Sequence, residues 1–270
     1  MKLAVDVDFD ELSFDETCRI VKSAGFDGAF AGWNKKGDAE LAAELFYKHG
    51  LIHQSVHAPF SHISDMWTPD YNRVLERQIE CLEETARCGV GITVSHVFIG
   101  FGKKDEPNEW GLESFGKYLD RAEKLGVYVA FENTEGEGYL NYLLEHFKER
   151  KICGYCWDSG HEQCYSRGKD LLALYGDRLL CTHLNDNLGV TGEEITFYDD
   201  AHLLPFDGII DWKKAAEKLK KSKPLDILSF ELVTKSRPNR HTHDIYNGLS
   251  PEQYMEKAYK AAKKISLMME

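Results

Sequence analysis

Short apolar segments alternate with longer amphipathic segments along the whole chain. The apolar segments are rich in Val, Ile and Phe and are too short for helices, a pattern typical of buried parallel strands. Eight candidate strands follow from this pattern: Lys2–Asp6, Gly28–Gly32, Leu51–Val56, Ile92–Ile99, Tyr128–Glu132, Ile152–Asp158, Leu179–His183 and Asp226–Glu231. The stretches between them have helical periodicity. The pattern therefore predicts eight consecutive strand–helix units.

Six of the predicted helices are clear, namely residues 13–25, 38–50, 71–89, 113–126, 140–150 and 211–222. Four of them end in a glycine, the residue that often terminates a helix. Eight units in 270 residues average about 34 residues each, the size expected of a (β/α)₈ barrel. The alternative is a doubly wound open sheet, but no GxGxxG-type turn follows the first strand. We predict an α/β protein with a single TIM-barrel domain over residues 1–270.

Composition and charge narrow the classes of partner. Hydrophobic residues make up 43% of the chain, enough for a large core. A net charge of −12 disfavours binding to nucleic acid. No apolar stretch approaches the roughly 20 residues of a membrane span, and acidic residues come too early in the chain for a signal peptide. We therefore expect a cytoplasmic protein without a membrane partner, and a homo-oligomer is left open.

The seven cysteines are an odd number scattered through apolar segments, which is typical of reduced, buried thiols. Cys153 and Cys156 form a CxxC pattern inside a predicted strand. Residues three apart in a strand point to opposite faces. We therefore predict core cysteines at these positions and neither a zinc site nor a redox pair.

Side chains of metal-ligand type stand at the C-terminal ends of the predicted strands. In a barrel these ends meet at one mouth, where TIM-barrel active sites lie. Nine such residues are present, namely His57, His96, Glu132, Asp158, His161, His183, Asp200, His202 and Glu231. Imidazole and carboxylate groups without thiolate suit Zn²⁺, Mn²⁺, Co²⁺ or Fe²⁺. Glu132, Asp158, His183 and Glu231 are the strongest candidates; the other five are extra ligands or substrate-binding groups.

Four motifs connect the chain to a known family. FENT, DSGH, HLNDN…DDAHLLPFDGIIDW and SFELV occur in this order. With them the chain resembles the xylose isomerase-like TIM-barrel superfamily, which holds sugar isomerases and epimerases, inosose dehydratases and the endonuclease IV family. In the isomerase and epimerase branch, a Glu, Asp, His, Glu quartet binds one divalent metal. By motif, the resemblance assigns this quartet to Glu132, Asp158, His183 and Glu231, with one Zn²⁺ or Mn²⁺ ion expected.

The endonuclease IV branch instead uses a three-zinc cluster. Its further ligands match His57, His96, His161, Asp200 and His202, so up to three ions remain an alternative. The resemblance therefore also allows a multi-zinc phosphodiesterase that cuts DNA at abasic sites. The net charge of −12 and the aromatic and acidic segment SDMWTPDY, where a DNA-binding loop would be expected, disfavour that activity.

The preferred prediction is a metal-dependent isomerase or epimerase acting on a sugar or a sugar phosphate. The expected mechanism passes through a metal-stabilised enediolate, with Glu132 and Glu231 as the two bases and His161 orienting a substrate hydroxyl. An inosose-type dehydratase would share the enolising first step. A barrel that binds without catalysis is the least favoured alternative.

Substrate-binding residues are predicted in the loops that follow the strands. A sugar ring needs an apolar wall, for which Trp33, Phe60 and Trp67 are the candidates. Arg237 follows the last strand and is a candidate for binding an anionic substrate group. A solvated basic loop is the competing interpretation for Arg237 and its neighbours.

Overall fold

The computed structural model describes residues 1–7, 9, 11–102, 106–166 and 169–270. Within these ranges the strands are β1 Lys2–Val7, β2 Gly28–Gly32, β3 Ile52–His57, β4 Ile92–His96, β5 Tyr128–Glu132, β6 Cys153–Asp158, β7 Leu179–His183 and β8 Ile227–Leu232. These eight strands are parallel and form one sheet in the order β7-β6-β5-β4-β3-β2-β1-β8. All eight predicted strands are present, and three of them have the predicted bounds.

The sheet nearly closes into a barrel, because its two edge strands, β7 and β8, lie next to each other. Leu184, directly after β7, forms a parallel bridge with Phe230. The backbone N–H of Leu184 donates to the carbonyl of Ser229 at 2.9 Å. The hydroxyl of Thr182 donates to the same carbonyl at 3.1 Å and accepts from the Ser229 N–H at 3.0 Å. These bonds join β7 to β8, and the predicted TIM-barrel fold is confirmed.

Helices follow the strands along the chain. They are α1 Phe14–Ala24, α2 Asp38–His49, α3 Asn72–Arg87, α4 Glu109–Leu125, α5 Glu137–His146, α6 Ser159–Tyr165, α7 Leu171–Tyr175, α8 Trp212–Lys221 and α9 Pro251–Met268. The glycines predicted to end α1, α2, α3 and α4 all have positive φ. Helix α4 begins four residues earlier than predicted because the side chain of Asn108 caps it, accepting from the N–H groups of Trp110 and Gly111.

Strand β4 ends at His96, three residues before its predicted end. The carbonyls that follow bond to side chains and not to a neighbouring strand. The indole N–H of Trp67 donates to the carbonyl of Val97 at 2.7 Å. The hydroxyl of Thr134 donates to the carbonyl of Phe98 at 2.9 Å. The chain therefore leaves the sheet at the mouth of the barrel, immediately after a candidate ligand.

Side chains of four neighbouring strands pack together below the mouth of the barrel. Val94, Ala130, Cys156 and Cys181 form one buried cluster there. Cys153 belongs instead to the large cluster that includes side chains from the surrounding helices. The two cysteines of the CxxC pattern thus lie on opposite faces of β6, as predicted, and all seven cysteines are free. Among the described residues, no helix combines the length and the apolar character that a membrane span requires.

Candidate metal centre

Four consecutive strands bring the predicted metal quartet together. Glu132, Asp158 and His183 are the last residues of β5, β6 and β7, and Glu231 lies near the end of β8. Parallel pairing aligns the strand ends, with Asp158 directly opposite His183. One ligand atom from each of the four side chains lies within 4.8 Å of the others. This spacing allows all four to coordinate a single ion.

Glu132 is the centre of the cluster, with no exposed surface. One carboxylate oxygen, Oε2, lies 3.1 Å from Nε2 of His57 and 3.2 Å from Nε2 of His96. The other, Oε1, lies 3.1 Å from Nδ1 of His183 and 3.5 Å from Nδ1 of His161. Burial by itself would raise the pKa of Glu132, but the histidines, His183 first among them, hold it well below its usual value.

Two asparagines hold Asp158 in position. The side chain of Asn133 accepts from the Asp158 N–H at 2.9 Å and donates to the Asp158 carbonyl at 2.8 Å. Asn185 donates to Asp158 Oδ2 at 2.9 Å, while Oδ1 accepts from the N–H of His161 at 2.7 Å and so caps α6. Burial raises the pKa of Asp158 to about 6. The sequence analysis missed both asparagines, although each closely follows a candidate ligand in the FENT and HLNDN motifs.

The surroundings of His183 indicate whether the quartet suits a metal ion. Its Nδ1 lies 3.1 Å from Glu132 and 3.3 Å from Oε2 of Glu231, and its ring stacks on Phe30 with the ring centres 4.6 Å apart. The ring nitrogen that faces the carboxylates of the quartet is therefore Nδ1. Three carboxylates and one imidazole nitrogen are a donor set that Zn²⁺ and Mn²⁺ accept. The quartet therefore fits a divalent ion.

The other five candidate ligands surround this quartet. His57 and His96 form a possible metal-binding group with Glu132, and His161 and His202 form another with Asp158. Asp200 lies beside the second group, with Oδ2 at 3.0 Å from Nε2 of His202 and 3.4 Å from Nε2 of His161. The structure thus brings all nine sequence-predicted residues to one end of the barrel.

A cavity of about 420 Å³ opens above the cluster. Six of the nine residues line it, namely His57, His96, His161, Asp200, His202 and Glu231. Glu132, Asp158 and His183 lie beneath the lining and have no exposed surface. Of the two carboxylates predicted to act as bases, Glu231 is therefore the accessible one, with 23% of its side chain exposed.

The predicted aromatic wall is only partly in place. Trp33 and Phe60 line the cavity. The ring of Phe60 stacks on His96, with ring centres 5.0 Å apart. Trp67 does not line the cavity, and its predicted role there is corrected: its ring is buried and packs 4.6 Å from the ring of Tyr139. The segment after β3 contains a short 3₁₀ helix, Ile63–Trp67, and Trp67 at its end points its indole into the core.

Arg237 lines the cavity, but its charge is already paired. Its Nε donates to the carbonyl of Asp200 at 2.8 Å, and a terminal nitrogen lies 3.0 Å from Asp200 Oδ2. The guanidinium also packs 4.3 Å from the ring centre of Phe197. The arginine predicted to bind an anionic substrate group is therefore bound to a candidate metal ligand.

Glu84, on the outer helix α3, is a buried carboxylate away from the cluster that the sequence analysis missed. Its Oε2 accepts from the indole N–H of Trp33 at 3.0 Å and from the N–H of Gly37 at 2.9 Å. Its Oε1 accepts from the N–H groups of Ala39 and Glu40 at 2.8 and 3.1 Å. Glu84 thereby connects the first turn of α2 to a residue of the cavity wall. The available signal was its position on the apolar face of α3.

Parallel strands in a nearly closed ring, with histidines and carboxylates clustered at their C-terminal ends, define a TIM barrel with a candidate metal centre. The sequence model of one protein family, described as xylose isomerase-like TIM barrel, matches residues 18–264. The chain therefore belongs to the xylose isomerase-like TIM-barrel family.

Solved structures of similar fold include IolI protein with a bound zinc atom, at 19% identity and a TM-score of 0.71, covering 100% of this chain and 98% of that one. D-Psicose 3-epimerase from Clostridium cellulolyticum H10, solved with D-tagatose, is 15% identical, with a TM-score of 0.73 and full coverage of both chains. An L-ribulose 3-epimerase is 15% identical, with a TM-score of 0.70, covering 100% of this chain and 95% of that one. At these identities the likeness shows the fold.

Among curated proteins, the uncharacterized protein y4fM of Sinorhizobium fredii (strain NBRC 101917 / NGR234) is 34% identical over 111 residues. The match covers 39% of this chain and 33% of that protein. This chain therefore aligns with about a third of the relative's length.

Proposed function

We propose that the protein is a divalent-metal-dependent isomerase or epimerase of a sugar or sugar phosphate in the cytoplasm. The observation that carries this proposal is the convergence of Glu132, Asp158, His183 and Glu231 within 4.8 Å at the mouth of the barrel. Nδ1 of His183, which faces the carboxylates of Glu132 and Glu231, supports a metal at this point. The sugar epimerases among the structures of similar fold support the substrate class.

A bound Zn²⁺ or Mn²⁺ ion would act as a Lewis acid, polarising a substrate carbonyl and stabilising the enediolate formed when the neighbouring carbon loses its proton. Glu132, Asp158, His183 and Glu231 would hold that ion. Within this arrangement the proton itself is moved by two carboxylates of the chain, Glu231 and Glu132.

Glu231 removes the proton in the proposed mechanism, because its carboxylate lines the cavity. Glu132 serves the opposite face. Its Oε2 is covered by His57 and His96, so a substrate that reaches Glu132 must displace one of these rings. The two glutamates thus act as a pair of bases, of which Glu231 is the more accessible to a substrate in the cavity.

His161 orients a substrate hydroxyl in this proposal. Its Nδ1 faces the carbonyl of Asn133 at 3.0 Å, and its backbone N–H is fixed by Asp158, so the ring has one orientation. Its Nε2 is directed toward Asp200 and the cavity. Trp33 and Phe60 supply the apolar surface against which a sugar ring packs.

The test is exchange of carbon-bound hydrogen with solvent. The protein loaded with Zn²⁺ or Mn²⁺ is incubated in D₂O with a panel of ketoses and ketose phosphates, and deuterium incorporation is followed by NMR. If the protein enolises a substrate, deuterium should enter at the carbon next to the carbonyl, and this is detectable before the product is identified. Chelation of the metal should abolish the exchange. A complete panel without exchange contradicts the proposal. The product then separates isomerisation and epimerisation from dehydration, which shares the first step.

A second candidate is a multi-zinc phosphodiesterase of the endonuclease IV type. It is favoured by one observation, the two additional ligand groups built on His57 with His96 and on His161 with His202. Several zinc ions would generate a hydroxide and neutralise a leaving phosphate oxygen. Elemental analysis of protein purified without chelator, together with a nicking assay on duplex DNA containing an abasic site, separates the two candidates. One ion and no nicking support the sugar enzyme.

A further inference from the structure

Two adjacent acids near the mouth, Asp199 and Asp200, each bind one arginine from the loop after β8. Arg240 lies 3.2 Å from Oδ1 of Asp199. Arg237 lies 3.0 Å from Oδ2 of Asp200. The remaining partners of the two acids differ. Asp199 accepts hydrogen bonds from Thr191, and its contact with Arg240 is an ordinary structural ion pair. Asp200 instead faces two candidate metal ligands, His161 and His202.

Three nitrogen-bearing groups lie close to Oδ2 of Asp200. They are the guanidinium of Arg237 at 3.0 Å, Nε2 of His202 at 3.0 Å and Nε2 of His161 at 3.4 Å. The guanidinium is held in place because its Nε donates to the Asp200 carbonyl and its plane packs on Phe197. An arginine stays protonated at any physiological pH. The cluster therefore contains a permanent, fixed positive charge.

A metal ion bound between His161 and His202 would lie next to the oxygen that Arg237 already occupies. Two cations on one carboxylate oxygen repel each other, and the charge of Asp200 is already balanced. The quartet is different, because in the described part of the chain the groups closest to the Glu132 carboxylate are ring nitrogens of histidines, and no arginine is paired with it. The two ends of the ligand cluster are therefore unequal in their capacity for a metal.

The other oxygen of Asp200, Oδ1, is buried and has no hydrogen-bond partner among the described residues. Asp200 also lines the cavity. An unpaired carboxylate oxygen at that place needs either a cation or a hydrogen-bond donor. With Arg237 beside it, a hydroxyl group is the suitable partner.

We propose that Arg237 keeps the group formed by Asp200, His161 and His202 free of metal, so that it contacts substrate hydroxyls and the quartet binds the catalytic ion. This inference rests on the proposed metal-dependent function. It assigns Arg237 a positioning role toward Asp200 and limits the number of ions at the mouth.

The experiment compares wild type with Arg237→Met and Arg240→Met. Each protein is saturated with Zn²⁺, zinc per chain is measured by elemental analysis, and the ions are located in anomalous-scattering maps. Wild type is expected to show no ion within coordination distance of Asp200. Arg237→Met is expected to gain one zinc per chain at Asp200, His161 and His202. Arg240→Met is the matched control, because it removes an arginine from the adjacent acid, and it should bind as many ions as wild type.

Zinc coordinated by Asp200 in the wild type overturns the inference, and so does an Arg237→Met protein that gains no ion. Should Arg237→Met fail to fold, Arg237→Gln replaces it with the same expectation, and the wild-type map alone still tests the claim. Failure of the proposed function looks different. In that case the quartet of Glu132, Asp158, His183 and Glu231 stays empty in every variant, whatever happens at Asp200.

Discussion

Glu132 and Glu84 are both almost completely buried, and the pKa of each is held below its usual value, yet their surroundings differ. Glu84 accepts hydrogen bonds from three backbone N–H groups and the indole of Trp33. Glu132 instead faces ring nitrogens of four histidines. The partners of Glu84 keep their protons. The histidines around Glu132 can exchange a proton for a metal.

This difference shows which property marks the functional carboxylate. Burial and the direction of the pKa shift are shared, so neither separates the two sites. Backbone and indole N–H groups can only donate, whereas an imidazole nitrogen can also bind a cation. Glu84 is therefore expected to act on stability and Glu132 on metal binding and turnover, and each expectation can be tested by substitution.

The largest effect is expected for Glu132→Gln. This change removes the proposed base and one charged metal ligand, so turnover should fall by about 10²- to 10⁴-fold or more. The measurement is solvent deuterium exchange into a substrate of the wild type, together with zinc per chain. Turnover at the wild-type rate would show that Glu132 is not one of the two bases. Glu84→Gln provides the matched change at the other buried glutamate and should keep the wild-type zinc content.

Glu84→Ala should cost about 2–4 kcal/mol in the free energy of unfolding, because it leaves several buried donors without an acceptor. The first turn of α2 and the indole of Trp33 lose their common partner. Urea denaturation followed by circular dichroism gives the value. A loss below about 0.5 kcal/mol would mean that the N–H groups find other partners.

Metal removal should distinguish the two glutamates again. A ligand present at about 100 times its dissociation constant stabilises the folded state by about 2.7 kcal/mol. Chelation should therefore lower the stability of wild type and of Glu84→Gln by similar amounts. The loss should be smaller in Glu132→Gln, because less metal is bound at the start. Equal losses in all three proteins would place the stabilising ion elsewhere.

The smallest effect concerns pH. The pKa of Glu84 is lowered in the folded protein, by its hydrogen bonds to Trp33 and backbone N–H groups acting against burial. The charge of Glu84 therefore stabilises the fold above the unfolded pKa of about 4.3, and this contribution is lost as the pH falls through the lower folded pKa. The stability difference between wild type and Glu84→Gln, about 1–2 kcal/mol near neutral pH, should shrink below pH ~4. A difference that grows on acidification contradicts this sign.

Six of the nine candidate ligands could be predicted from sequence because they stand where apolar segments end, namely His57, His96, Glu132, Asp158, His183 and Glu231. In parallel strands that feature is local, and the barrel brings all such ends to one face. Trp67 shows the limit of the same logic. It also follows a strand, but the intervening residues form a short helix that buries its ring against Tyr139. The direction of a loop side chain depends on packing partners that are remote in sequence.

Glu84 and Arg237 show a second limit. Nothing adjacent to either residue in the sequence identifies its partner, since Glu84 bonds to Trp33, 51 positions away, and Arg237 bonds to Asp200, 37 positions away. The sequence analysis predicts that the positive charge of Arg237 is available to bind an anionic substrate group. The fold instead pairs that charge with a carboxylate.

The sequence by itself determined the alternation of strands and helices, and with it the barrel and the set of nine ligand-type residues at its mouth. These properties depend on hydrophobic periodicity and on the residue types at strand ends and in the motifs that follow them, all of which are local. The tertiary structure decided which of those residues face the cavity, which lie beneath it, and which are already paired. Hydrogen bonds and ion pairs act over about 3–4 Å, so these choices exist only once distant segments have been brought into contact.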